Sequence, residues 1–234
     1  MPAQLPLALR FPADQRLATF LGAPDGVLAQ VESLASGRSS DWAFVSGPPS
    51  AGKSHLLLGA CACAQESGRR PSYLRLGSVA GHVDDALQAF EGMDFLAIDD
   101  VDGIAGRRDD EVALFDFHNR ARAAGTAVLY AATARPLSLD LVVPDLRSRL
   151  AQCTAVVLEP LGEDGRREVL RQRALRRGLV LDDAALDWLL RRVGRDLASL
   201  THLFDRLDTA ALVAQRRLTV PFLRDVLGDS LDVR

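Results

Sequence analysis

The chain has 234 residues, 48% of them apolar, which is enough to bury a sizeable core and excludes a disordered or fibrous protein. Twenty-eight basic residues against 31 acidic ones leave a formal charge of -3, so bulk positive charge does not hold this protein to nucleic acid. No apolar run reaches the roughly 18 residues of a membrane span, and no basic-then-apolar leader opens the chain. The expected location is therefore cytoplasmic. Cys61, Cys63 and Cys153 are odd in number and lack a zinc spacing, which reads as buried thiols in a reducing compartment.

Residues 1 to about 40 hold Pro2, Pro6, Pro12 and Pro24 without a sustained period and read as an arm before the core, with a short helix at 26–35. The apolar run Trp42-Ala43-Phe44-Val45 then predicts a strand. It leads into Gly47-Pro48-Pro49-Ser50-Ala51-Gly52-Lys53-Ser54, which fits G-x-x-x-x-G-K-[ST]. In such a loop the glycines turn the backbone around phosphates, the lysine reaches the terminal ones, and the Ser54 hydroxyl suits magnesium. A helix over 54–67, from His55 and Leu56 onward, would aim its first amides at the anion. The predicted nucleotide contacts are therefore Gly47, Pro48, Ser50, Ala51, Gly52, Lys53, Ser54 and His55.

Further along, the pattern predicts a strand over 72–76, a helix over 83–90 and a buried strand over 94–98 ending in Asp99-Asp100. Downstream of a phosphate loop, this pair assigns Asp99 to magnesium beside Ser54 and Asp100 to orienting an attacking water. A helix over 110–124 and a strand over 127–132 follow. Thr133 then either points its hydroxyl at the terminal phosphate or caps the turn before Arg135-Pro136. Arg147 and Arg149, in Asp145-Leu146-Arg147-Ser148-Arg149-Leu150, are either solvated or able to reach a neighbour's site. After a strand over 155–158 the strand signals stop, and helices are predicted over 164–177, 183–193, 196–215 and 219–227. Asp182 or Asp183 caps the second, and Thr219-Val220-Pro221 starts the last. Strand and helix alternating up to Pro160 predict an α/β domain with a mostly parallel sheet, followed by a small all-helical domain.

Together, the phosphate loop with its trailing His-Leu-Leu, the strand-end Asp-Asp, Ser148-Arg149-Leu150, Leu161-Gly162-Glu163-Asp164 and the stretch 214–222 resemble the DnaA branch of the AAA+ proteins. Within that branch they resemble the Hda family of regulatory inactivators. The resemblance implies an N-terminal arm over 1–25, an AAA+ nucleotide-binding domain over 26–160 and a helical lid over 161–234. It also implies bound ADP or ATP with Mg2+, and Arg149 as an arginine finger acting catalytically on ATP held by DnaA. Gln4-Leu5-Pro6-Leu7-Ala8-Leu9 looks like the family's Gln-Leu-x-Leu-x-Leu element, implying that Gln4, Leu5, Leu7 and Leu9 bind the beta subunit of the DNA polymerase III sliding clamp. DNA is then reached through the clamp. Self-association is compatible with the pattern, and a membrane partner is not expected. The sequence ends at Arg234, soon after the fourth lid helix, where DnaA continues into a helix-turn-helix domain; the resemblance thus points to a regulator. Two departures stand out: Ala134 replaces an acidic sensor residue before Arg-Pro, and Ala198 occupies the position of the lid's phosphate-sensing arginine, with Arg195 nearby but out of phase. Both imply slow intrinsic hydrolysis.

Overall fold

The computed structural model describes residues 11, 15–192 and 219–227. Chain contacts divide it into two compact units, Met1–Pro160 and Leu161–Arg234.

In the first unit five strands, β1 (Ala43–Ser46), β2 (Pro71–Arg75), β3 (Phe95–Asp99), β4 (Ala127–Ala132) and β5 (Thr154–Val157), form one sheet in the order β2-β3-β4-β1-β5. Every pairing is parallel; Val45 on β1, for example, faces Ala131 on β4 and Val156 on β5. Each residue of β1, β3 and β4 is buried, as expected of central strands covered on both faces, whereas β2 and β5 are partly exposed edges. The helices of this unit are α1 (Val27–Ala35), α2 (Lys53–Glu66), α3 (Val83–Gln88), α4 (Arg108–Ala124) and α5 (Pro144–Ala151). Helix α2 packs on β2, β3 and β4 and carries α1 on its side; α3, α4 and α5 make a second group. Because β1 lies between β4 and β5, its C-terminal end opens where chain connections diverge to either side, the usual place for a ligand in an open parallel sheet.

The segment before Trp42 is more than an arm. Val31, Leu34 and Ala35 of α1 are completely or almost completely buried, and Phe11 and Phe20 join the same core. What fixes α1 is a distant contact: the Arg69 guanidinium donates to the carbonyls of Leu34 (3.0 Å) and Ala35 (2.8 Å), closing the helix C-terminus. Strand β3 also runs one residue further than expected, so Asp99 is its last residue, and Asp100 turns into the left-handed region at φ 60°.

In the second unit α6 (Glu163–Arg176), α7 (Asp183–Arg192) and α8 (Val220–Leu227) bury Leu170, Ala174, Leu186, Leu189, Phe222 and Leu223 together. Asp182 caps α7 by accepting the Ala185 amide at 2.7 Å, and Arg167–Asp187 and Arg171–Asp183 ion pairs tie α6 to α7. The expected helix over 196–215, with Arg195 and Ala198, lies outside the described residues. No helix among the described residues is long and apolar enough to cross a membrane. Cys61 and Cys153 are buried, Cys63 is half-buried, and all three are free thiols. Burial pushes Cys153 up to about 11.

A buried cluster joins the sheet to α4. His118 sits edge-on to Trp42 with ring centroids 4.7 Å apart, its Nδ1 lies 3.1 Å from the Tyr130 hydroxyl, and the Arg122 guanidinium lies 4.1 Å above the Trp42 ring. Burial, aided by the positive charges of Arg122 and Arg149, lowers the His118 pKa from 6.5 to about 4. The unfolded chain therefore binds a proton below 6.5 that the folded chain refuses until about pH 4. The stability contributed by neutral His118 is complete above the unfolded pKa and is lost as pH falls through this window, by up to about 3 kcal/mol. Urea unfolding at pH 7 and pH 4.5 is expected to show this loss, and His118→Gln, which cannot titrate, should lose less. An equal loss in both proteins contradicts the assignment.

Candidate functional site

The loop after β1 is shaped by steric limits before any ligand is considered. A side chain at Gly47 would come within 2.5 Å of the Leu158 carbonyl oxygen, and Gly52 has φ 94° with the Phe20 ring about 3 Å from where a Cβ would sit. Ser50 also has a positive φ, of 63°. The turn is closed by the Ala51 amide on the Pro48 carbonyl, at 3.3 Å. Gly52 then caps α2 without supplying a side-chain acceptor, and the N-terminus of the helix, with its first backbone amides, opens onto the loop.

Lys53 folds back over the loop. Its Nζ donates to the carbonyls of Gly47 (2.6 Å) and Pro48 (2.9 Å). Desolvation lowers its pKa, while Asp99, Asp102 and Asp100 favour the charged form. Ser54 donates its hydroxyl to Asp99 Oδ2 at 2.5 Å, joining the start of α2 to the end of β3. Asp99 is 4% exposed, and its other oxygen accepts the Asp100 amide at 2.8 Å. A hydroxyl and a carboxylate are hard oxygen donors of the kind magnesium takes when phosphates and waters complete its shell. Among the described residues there is no larger group of His, Cys, Asp or Glu able to hold a metal by itself.

Not every expected residue converges here. His55 turns its ring to the N-terminal segment, with Nε2 3.2 Å from the Arg16 carbonyl and 3.3 Å from the Thr19 hydroxyl, and Phe20 edge-on at 5.2 Å. Its contribution to the helix terminus is its backbone amide. Asp100, in its left-handed conformation, accepts a hydrogen bond from Arg75 Nε at 3.0 Å, so an arginine on the edge strand already engages it. Thr133 is held through both its amide (3.0 Å) and its hydroxyl (2.7 Å) by Asp102. With its one proton committed, that hydroxyl can only accept from a third group, which suits a water better than a phosphate oxygen.

Arg149 lies on α5 and is exposed, Arg147 is half-buried, and no ion pair or side-chain hydrogen bond among the described residues involves either guanidinium. The start of α5 is fixed by Glu111. This completely buried carboxylate accepts the Val143 amide at 2.7 Å and the Gly106 amide at 2.8 Å, holding the turn before α5 to the turn before α4. Gln4, Leu5, Leu7 and Leu9 lie outside the described residues. The reading of the sequence misses Asp102, Glu111 and Tyr73, whose hydroxyl meets Asp99 at 2.7 Å. Asp102 alone has a sequence signal, as the next carboxylate after the Asp99-Asp100 pair.

Removing the Glu111 carboxylate leaves two backbone donors unpaired, at about 1–3 kcal/mol each. Glu111→Ala is therefore expected to lose about 2–5 kcal/mol in urea unfolding and to speed hydrogen exchange of the Val143 amide. Exchange at Val143 as slow as in the wild type contradicts the role given to this carboxylate.

Comparison with known proteins supplies the remaining findings. Residues 163–227 match the family described as Hda, lid domain. Domain III of the Thermotoga maritima replication initiation protein DnaA superposes with a TM-score of 0.77 at 19% identity, over 95% of this chain and 99% of that one. The AMPPCP-bound DnaA of Aquifex aeolicus gives 0.66 at 21% identity, over 83% of this chain and 65% of that one. The Thermotoga maritima RuvB Holliday junction branch migration motor gives 0.63 at 19%, over 93% and 72%. The matches in structure establish the fold, and the match in sequence shows that residues 163–227 are similar to that lid family.

Proposed function

We propose that this chain, which shares its fold with domain III of DnaA and matches the Hda lid family over residues 163–227, restrains replication initiation by stimulating hydrolysis of ATP bound to DnaA. In this reading it binds ADP through the 47–55 loop and helix start, and docks on the sliding clamp through Gln4, Leu5, Leu7 and Leu9. Arg149 is then presented to the nucleotide of DnaA. The observation that carries the proposal is the presentation of Arg149: an exposed guanidinium on a short helix whose start is locked by a buried carboxylate, with no partner among the described residues. A guanidinium is permanently charged and planar, and so suits charge developing on phosphoryl oxygens. It accelerates only where it reaches the reacting group, so it acts in trans.

Lys53 and the first amides of α2 would bind the phosphates of this chain's own nucleotide, and Ser54 and Asp99 would hold its magnesium. Bound magnesium supplies neutralisation of phosphate charge. Asp100, engaged by Arg75, and Ala134, in place of a sensor carboxylate, leave little to activate a water, which favours a retained regulatory nucleotide over rapid turnover.

A second reading, an autonomous AAA+ ATPase or helicase loader, is favoured by the intact pairing of Ser54 with Asp99. The two separate in one assay. DnaA loaded with ATP and clamp on DNA are mixed with wild-type protein, Arg147→Ala or Arg149→Ala, and conversion to ADP is followed. Because an arginine supplied in trans is worth about 10³ to 10⁵ in rate, Arg149→Ala should abolish most of the stimulation and Arg147→Ala should retain it. Replacing Leu7 and Leu9 by Ala should instead remove clamp binding, measured directly by calorimetry. Full stimulation by a folded, clamp-bound Arg149→Ala protein contradicts the proposal, and rapid hydrolysis by the protein alone favours the second reading.

A further inference from the structure

Tyr73 lies on the edge strand β2, outside the phosphate loop and outside the strand that carries the acidic pair. In the parallel register of β2 and β3 it stands opposite Ala97. Side chains two apart on a strand share a face, so Asp99 is the next group on the face where Ala97 sits. The small Ala97 leaves the Tyr73 ring free to lean along the sheet, and its hydroxyl donates to Asp99 Oδ2 at 2.7 Å. This is the same oxygen that accepts the Ser54 hydroxyl at 2.5 Å. The other oxygen, Oδ1, takes the Asp100 amide at 2.8 Å.

Three of the roughly four acceptor positions of a carboxylate are thus occupied by the protein itself. A donor on a carboxylate oxygen draws negative charge away from it and takes a lone pair that a metal-bound water would otherwise use. The Ser54 bond is compatible with a metal, because a hydroxyl can give its proton to the carboxylate while turning its lone pairs elsewhere. Tyr73 also meets Ser54 through its hydroxyl, so its lone pairs are turned into the same cluster. Its hydroxyl comes from a half-buried ring on another strand and adds a second proton donor to the oxygen that anchors Ser54.

We propose that Tyr73 sets the magnesium dependence of nucleotide binding, by donating its hydroxyl proton to the Asp99 oxygen that also holds Ser54. This rests on the reading of residues 47–55 as a phosphate site. With Tyr73 in place, Asp99 is a weakened anchor for the metal, and the nucleotide is held mainly by Lys53 and the helix amides. A nucleoside diphosphate, which those groups can bind without a metal, is then the ligand retained best.

The test is calorimetric titration of ADP into the full chain, with magnesium and with EDTA, for wild type, Tyr73→Phe, Asp99→Asn and the double variant. Tyr73→Phe keeps the ring and removes only the hydroxyl. A hydrogen bond to a charged group corresponds to about a tenfold change in an equilibrium. The ratio of ADP affinity with magnesium to that without should therefore rise about tenfold in Tyr73→Phe, while the affinity in EDTA stays near the wild-type value. In the Asp99→Asn background the same substitution should leave the ratio unchanged, because the charge on which it acts is gone. A ratio unchanged by Tyr73→Phe overturns the inference, and so does a lower one, which would make Tyr73 a support for the metal. If wild-type protein takes up no ADP in either buffer, the phosphate-site reading itself fails.

Discussion

Asp99 is the point on which the α/β unit turns. Three elements that are far apart in sequence meet at this one buried carboxylate: β3, whose last residue it is, α2 through Ser54, and β2 through Tyr73. A carboxylate with so little solvent contact must be compensated, and each bond that compensates it also fixes the element that donates it. Around it Asp100 engages Arg75 and Asp102 engages Thr133. The C-terminal edge of the sheet is therefore held by acidic side chains from one short stretch, and the phosphate loop sits on that edge.

A similar economy operates further along α4. Its first turn carries Asp110 and Glu111, which are both buried and both bind backbone amides from other segments: Gly81 for Asp110, and Gly106 and Val143 for Glu111. These carboxylates serve twice, as favourable charges at a helix N-terminus and as clasps on neighbouring turns. The second role matters for Arg149, since α5 begins at the turn that Glu111 holds. The N-terminal segment is tied down by His55 on the Arg16 carbonyl and by Phe20 beside Gly52, so residues 16–20 pass against the phosphate loop and its helix.

The fold was legible wherever one strong local pattern decided the matter. The alternating strands and helices, the glycine-rich loop and the start of α8 at Thr219-Val220-Pro221 all follow from periodicity and turn chemistry, and the strands lie within a residue of where the apolar runs put them. The position of α1 in the core was not legible, because the arginine that closes it is 34 residues away from Ala35. Nor were Tyr73 and Glu111: an aromatic on an edge strand and a glutamate in a helix are commonplace until parallel register and a loop crossing bring them to Asp99 and Val143. The unequal roles of Asp99 and Asp100 turn on β3 being one residue longer than its apolar run, which puts the first inside the strand and sends the second into a left-handed turn toward Arg75.

The account depends on the loop between β1 and α2 being a working phosphate site, with Lys53 facing a ligand's negative charge and helix amides beneath it. The most direct measurement is calorimetric binding of ADP to wild type and to Lys53→Ala, with folding of the variant checked by circular dichroism. Loss of a charge-assisted contact to phosphate predicts affinity weaker by about tenfold to a hundredfold. Equal ADP affinity in a folded Lys53→Ala protein would contradict the site and the regulatory role built on it.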